Sequence, residues 1–163
     1  MMRLIGVSIL ASALAACAST EKAAPANPVE AATAASTMAD IPPEGLPPQK
    51  LGAGECGLFL WGMAAPRKFV FFAEGATAEA LVLHEGEPRA LSVTDADGEV
   101  FGQFFTEMQY LSTDGKWSVN LSLAPGEILE GGQRVDAGRL VTRGADGWET
   151  VLPVTGVRAC MPG

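Results

Sequence analysis

The stretch Lys116-Trp117-Ser118-Val119-Asn120-Leu121-Ser122-Leu123 decides the fold class. Trp117, Val119, Leu121 and Leu123 alternate with Ser118, Asn120 and Ser122, the period of two that turns one face of a β-strand toward a core and the other toward water. Working outward, further short apolar or alternating runs occupy residues 57–61, 69–72, 80–83, 89–94, 100–110, 139–143 and 148–154. Between them stand Glu85-Gly86-Glu87, Asp95-Ala96-Asp97-Gly98, Asp114-Gly115, Pro125-Gly126, Gly131-Gly132, Asp136-Ala137-Gly138 and Asp146-Gly147. Asp-Gly and Gly-Gly pairs supply the positive backbone angles that tight hairpins require, so each is read as a turn. The expectation is an all-β domain over residues 51–163: a small antiparallel sandwich or partly closed barrel of roughly seven to nine strands.

Upstream of the domain the composition changes twice. Met1-Met2-Arg3 is a short basic start, and an apolar run from Leu4 to Leu14 ends in small residues. That is the layout of a secretory signal peptide, and the run stops at Ser19-Thr20-Glu21-Lys22, short of the roughly 20 apolar residues that span a bilayer. Leu14-Ala15-Ala16-Cys17 resembles the lipobox of bacterial lipoproteins. The resemblance implies cleavage after residue 16, a diacylglycerol on the Cys17 thiol, often a further acyl group such as palmitate on the new amine, and stable anchoring by two or more chains. A cut of ordinary secretory type at Ala13-Leu14-Ala15 is the alternative. In the same family an Asp after the Cys often holds the protein at the inner membrane; Ala18 stands there instead, which points to the outer membrane.

Residues 17–50 are rich in Ala, Pro, Thr, Ser and Glu, without an aromatic side chain. Such a stretch cannot bury enough apolar surface to offset its chain entropy, and its prolines exclude a long helix. It is read as a lipidated linker with a reach on the order of 30 Å. With Cys17 assigned to lipid, Cys56 and Cys160 remain at the two ends of one exported domain. They are expected to form a disulfide that places the first and last strands side by side.

The residues of catalysis are sparse. His84 is the single histidine, so neither thiol nor serine has an evident base, and Ser92, Ser112 and Ser118 lie in no Gly-x-Ser-x-Gly elbow. Phosphate-cradling glycine loops are missing. Asp95-Ala96-Asp97-Gly98-Glu99 offers alternate carboxylates, but a calcium loop starting at Asp95 would need Gly where Val100 stands and Glu where Thr106 stands. It is read as an acidic hairpin turn. Paired carboxylates of the kind used in glycoside hydrolysis could be drawn from Glu107, Asp114 or Glu127. No metal, cofactor or catalytic residue is therefore assigned, and the expectation is a non-enzymatic protein.

Charge and aromatics bear on the partner. The chain carries 11 basic and 19 acidic side chains, a net of −8, and loss of residues 1–16 removes only Arg3, giving −9. Nucleic acid and anionic head groups would be repelled. Phe69, Phe71, Phe72, Phe104 and Phe105 place bulky rings on both faces of their strands; they either line a binding surface or are buried from both sides. Trp61, Trp117 and Trp148 are expected to anchor the core from three strands.

In plan the chain is similar to the small lipoprotein inhibitors of C-type lysozymes, which carry a Cys near each end of an acidic β-domain. Their motif runs Ser-Gly-x-x-Tyr and then Trp-x-x-Lys-Gly; here Asp97-Gly98-Glu99-Val100-Phe101 has Asp and Phe at the key positions, and Lys116-Trp117 reverses the order. No inhibitory residue is carried across. The functional expectation is an anchored envelope lipoprotein whose β-domain binds another envelope component, a protein, with lysozyme inhibition and a carboxylate-pair hydrolase as the alternatives.

Overall fold

The computed structural model describes residues 45–163. Cys17, the signal segment and the linker up to residue 44 lie outside the described residues. Eight strands follow in order: β1 (Cys56–Gly62), β2 (Phe69–Glu74), β3 (Glu79–His84), β4 (Glu87–Phe101), β5 (Phe104–Ser112), β6 (Ser118–Leu129), β7 (Gly132–Arg143) and β8 (Glu149–Cys160). Each pairs antiparallel with the next, and β8 returns to pair with β1, so the sheet closes into an up-and-down barrel. The two-sheet alternative falls away, and the barrel is closed rather than partly closed. Closure removes the two free edges that an open meander would expose.

The seam is continuous from Cys56 opposite Cys160 to Gly62 opposite Val154. The Cys56–Cys160 disulfide sits across its first rung, with Cα atoms 4.0 Å apart and a sequence separation of 104. By the chain-entropy argument a loop of that size contributes up to about 4.7 kcal/mol. Beyond it, Met161 N–H donates to the Glu55 carbonyl and Gly54 N–H to that of Pro162, extending the pairing of the two ends.

Alternation fills the lumen with one face of every strand. Leu58, Leu60, Phe71, Val82, Leu91, Phe101, Val119, Leu121, Val135 and Val154 are all but inaccessible. In the opening octapeptide Val119, Leu121 and Leu123 point inward and are buried, while Ser118, Asn120 and Ser122 remain partly exposed on the outside. An eight-stranded barrel has an interior that side chains can fill, and here Phe71 and Tyr110 meet edge to face across it, with centroids 5.4 Å apart.

Three of the seven expected turns are not turns. Asp95-Ala96-Asp97-Gly98 lies within β4, Pro125-Gly126 within β6 and Asp136-Ala137-Gly138 within β7. At each the register slips: between Val93 and Asp95 and between Asp97 and Val100 in β4, around Pro125 in β6, and between Val135 and Gly138 in β7. These are β-bulges, which bend and coil a strand so that long strands can close on themselves. Gly98 (φ 83°) shows why the residues look like turn residues: a side chain there would strike Thr106 Oγ1, which accepts the Glu99 N–H at 2.9 Å. Conversely, residues 100–110, expected as one strand, are broken by a two-residue hairpin at Gly102-Gln103, where Gly102 has φ 66° and Phe101 pairs with Phe104.

The tryptophans also differ from expectation. Only Trp117 packs against the core, from one end of the barrel; Trp61 is on the outer face of β1 and Trp148, before β8, is largely exposed.

Candidate binding surface

The two halves of the barrel's exterior are chemically different. Cross-strand register places Val157, Phe59, Phe72, Leu81 and Ala90 opposite one another in a single outward row across β8, β1, β2, β3 and β4. Residues directly opposite on one face are close neighbours, so the row is a continuous apolar belt. Phe59 lies 5.0 Å from Phe72, 6.0 Å from Phe69 and 6.5 Å from Trp61, and Trp61 lies 5.3 Å from Phe69, centroid to centroid. Gly57 leaves room for this packing: a Cβ there would meet Leu51, Phe59 and Phe72 at 3.0 Å.

The last residues before the barrel run over this face. Leu46 is 5% exposed, and its N–H donates to the Phe69 carbonyl at 2.8 Å. Gly45 comes as close to the Phe69 backbone, with a notional Cβ 3.2 Å from its nitrogen. Residues 45–51, of which 45–50 are expected from sequence to belong to the linker, thus form a strap of the folded domain. It covers part of the aromatic cluster and leaves Phe59, Trp61, Phe69 and Leu81 partly exposed. Beyond Leu81, a groove of about 210 Å³ lined by Phe72, Leu81 and Ala90 continues the belt, with Glu74 and Glu79 on its flank.

The five phenylalanines singled out from sequence do not form one surface. Phe69 and Phe72 belong to the outer cluster, Phe72 only 8% exposed because its neighbours cover it. Phe71 (0%) and Phe104 (5%) point into the core, and Phe105 (36%) faces solvent beside its partner Val100 on the β4–β5 hairpin. Sequence reading missed Phe59, Trp61 and Leu81. The available signal was Gly57-Leu58-Phe59-Leu60-Trp61, apolar at consecutive positions, because a barrel lumen can bury only every second one.

On β4 to β7 the outer wall carries a shallow polar depression lined by Asp95, Glu107, Gln109, Asn120, Ser122 and Arg139, while Val100, Leu111 and Ile128 stand exposed on β4, β5 and β6 outside it. Ser122 donates to Glu107 at 2.7 Å, and Gln109 Nε2 to Asp95 at 3.5 Å. Among the described residues no group of three or more His, Cys, Asp or Glu side chains is placed to hold a metal ion. At one end of the barrel His84 stacks on Trp117, with centroids 4.2 Å apart. Nearby, the Ser112 hydroxyl donates to Asp114 Oδ1 at 2.7 Å and accepts the N–H groups of Lys116 and Trp117. The Ser112 hydroxyl and then the Lys116 N–H hold the Asp114 carboxyl below the usual carboxylate range. This constellation staples the β5–β6 turn; the serine proton is committed to Asp114 and not to the imidazole.

A third feature is a window in the wall. β4 outruns β3: Ser92 is its last residue paired there, opposite Glu79, while Val93 N–H donates to the Ala78 carbonyl. Beyond that point a pocket of about 160 Å³ opens between the β2–β3 turn and the β4–β5 hairpin, and reaches Phe104, Met108 and Tyr110. No family model, curated protein or solved structure matches the chain.

Proposed function

We propose that the protein is a lipoprotein anchored in the outer membrane through Cys17, whose barrel is a non-enzymatic module that binds another envelope protein. The observation that carries this reading is the apolar belt Val157–Phe59–Phe72–Leu81–Ala90, a continuous row on the outside of a barrel that already has an apolar core of its own. Partly exposed aromatic rings gathered on one face are the typical anchors of protein interfaces. The polar depression on β4 to β7 fits a side that stays in water, and the negative charge favours a partner with a basic rim. Cys17 at the end of an apolar leader supports the anchor, and about thirty linker residues would give the barrel freedom to reach its partner.

The test is crosslinking in living cells of the full-length, C-terminally tagged protein, with Leu81→Asp in the belt, Gln109→Asp on the polar half, and Cys17→Ser. The expected result is one dominant crosslinked protein that survives Gln109→Asp and is lost with Leu81→Asp. Its mature N-terminus should carry lipid by mass spectrometry, and Cys17→Ser should release the protein from membranes. A crosslinking pattern indifferent to Leu81→Asp sinks the belt as the interface, and an unmodified Cys17 sinks the anchor.

A further inference from the structure

The window between the β2–β3 turn and the β4–β5 hairpin has a chemistry that the protein-binding belt does not use. Its walls are Ala73, Val93, Phe104 and Met108, and Ala96 lies exposed at its opening. Tyr110 also lines it. This side chain is 3% exposed, and among the described residues its hydroxyl forms one hydrogen bond, donated to Met108 Sδ at 3.3 Å. A thioether is a weak acceptor, and a buried hydroxyl ordinarily has a better partner. The phenol oxygen can also accept, and among the described residues no donor fills that role. Burial pushes the Tyr110 hydroxyl above the ordinary tyrosine range, so it stays protonated at neutral pH. Glu74 and Glu79 line the same pocket, and neither carboxylate forms an ion pair among the described residues.

We propose that this window binds a small primary amine with an apolar body about the size of one aromatic ring and a hydroxyl at the end opposite the ammonium. The volume, about 160 Å³, is close to that of a cavity known to admit benzene, ~150 Å³. The apolar body packs between Phe104, Val93 and Met108, and the hydroxyl exchanges hydrogen bonds with Tyr110 Oη. The ammonium stays at the mouth with Glu74 and Glu79, where it remains partly hydrated and avoids the large cost of burying an unpaired charge. The hydroxyl answers the free acceptor side of Tyr110 Oη, whose present bond goes to a weak thioether acceptor, and the ammonium answers two carboxylates without an ion pair among the described residues. The site differs from the belt in that a ligand here touches the inner layer of the barrel through the wall, while Glu74 and Glu79 stand between this pocket and the belt's groove and line both.

The full-length protein is titrated with three probes while backbone amide shifts are followed by NMR: tyramine, phenethylamine, which lacks the hydroxyl, and tyrosol, which has a hydroxyl in place of the ammonium. Saturable shifts confined to residues around Ala73, Ala96 and Met108 are expected. Tyramine should bind roughly fivefold more tightly than phenethylamine for one neutral hydrogen bond, and roughly tenfold more tightly than tyrosol for the carboxylate contacts. Tyr110→Phe should erase the first preference alone, and the Glu74→Gln/Glu79→Gln pair the second alone. Ala96→Leu, at an exposed position, should block all three probes without unfolding the barrel. Absence of saturable shifts, tyrosol binding as tightly as tyramine, or preferences that survive their variants overturns the proposal.

Discussion

β6 and β1 are strands of the same barrel, yet their outer faces obey different rules. In β6 every inward residue from Val119 to Leu123 is apolar and every outward one is Ser or Asn. In β1 the inward Leu58 and Leu60 are matched by outward Phe59 and Trp61. The inward rows do the same job in both, filling the lumen. Only the outward rows differ, so stability is a property of the whole ring, while the continuous apolar row runs from β8 through β1, β2 and β3 to Ala90 of β4, and the exposed apolar side chains elsewhere, Val100, Phe105, Leu111 and Ile128, lie outside it. Strict alternation marks a wall facing water, and its failure marks a wall with something to cover.

The sharpest way to break this contrast is to remove one ring from each layer. Phe71→Ala empties a fully buried site and should destabilise the barrel by about 3–5 kcal/mol, measured by urea denaturation with the disulfide intact. Trp61→Ala, on the outer face, should cost far less, about 1 kcal/mol, because its ring is partly in water before the change. Equal losses would mean that the outer cluster is core and not surface. Next in size is the seam: reduction of Cys56–Cys160, or its double replacement by Ala, should lower stability by about 2–5 kcal/mol and leave the barrel's spectroscopic signature intact in the absence of denaturant.

How far the sequence reveals this architecture follows from the same contrast. The period of two and the short apolar runs locate part of each strand but join the end of β4 to β5 and cover only part of β6 and β7, while the position of Cys56 and Cys160 at the domain's ends predicts the closing pair. Closure itself is carried by bulges, and bulges use the residues that turns use. Gly98 needs a positive φ in mid-strand for the same reason that Gly115 needs it in a hairpin. Pro125-Gly126 and Asp136-Ala137-Gly138 lie across from one another on β6 and β7, where the freed Val135 carbonyl accepts the Thr155 hydroxyl at 2.8 Å. Nothing local separates that paired bend from two turns; only the partner strands do. For the same reason Phe69 and Phe72 are recognisable as unusual, but their grouping with Phe59, Trp61 and Leu81 depends on register across three strands.

The strap tests where the domain begins. If residues 45–51 are part of the fold, Leu46→Ala should cost about 2 kcal/mol, near the lower end for a buried leucine, because the site lies at the surface of the barrel. Truncation at residue 52 should cost at least as much and increase binding of a hydrophobic dye at the uncovered rings. A truncated barrel as stable as the full chain would return the segment to the linker.

The smallest expected effect is electrostatic and belongs to the polar side of the comparison. Asp114 accepts the Ser112 hydroxyl and the Lys116 N–H, and its carboxyl is held below its ordinary value. A carboxyl with a lowered folded-state pKa stabilises the fold in full above its unfolded pKa of about 3.9, and that contribution fades as pH falls through this value toward the folded pKa. The group is exposed and solvent screens it, so the change is slight. Denaturation midpoints for wild type and Asp114→Asn should therefore differ at pH 6 and converge as the pH approaches 2. Because the contact staples only the β5–β6 turn, the loss of protection from hydrogen exchange should be confined to residues 112–117. A pH-dependent difference spread around the whole barrel would instead place Asp114 in a long-range network, and the division between a structural lumen and a locally stitched polar exterior would not hold at that end.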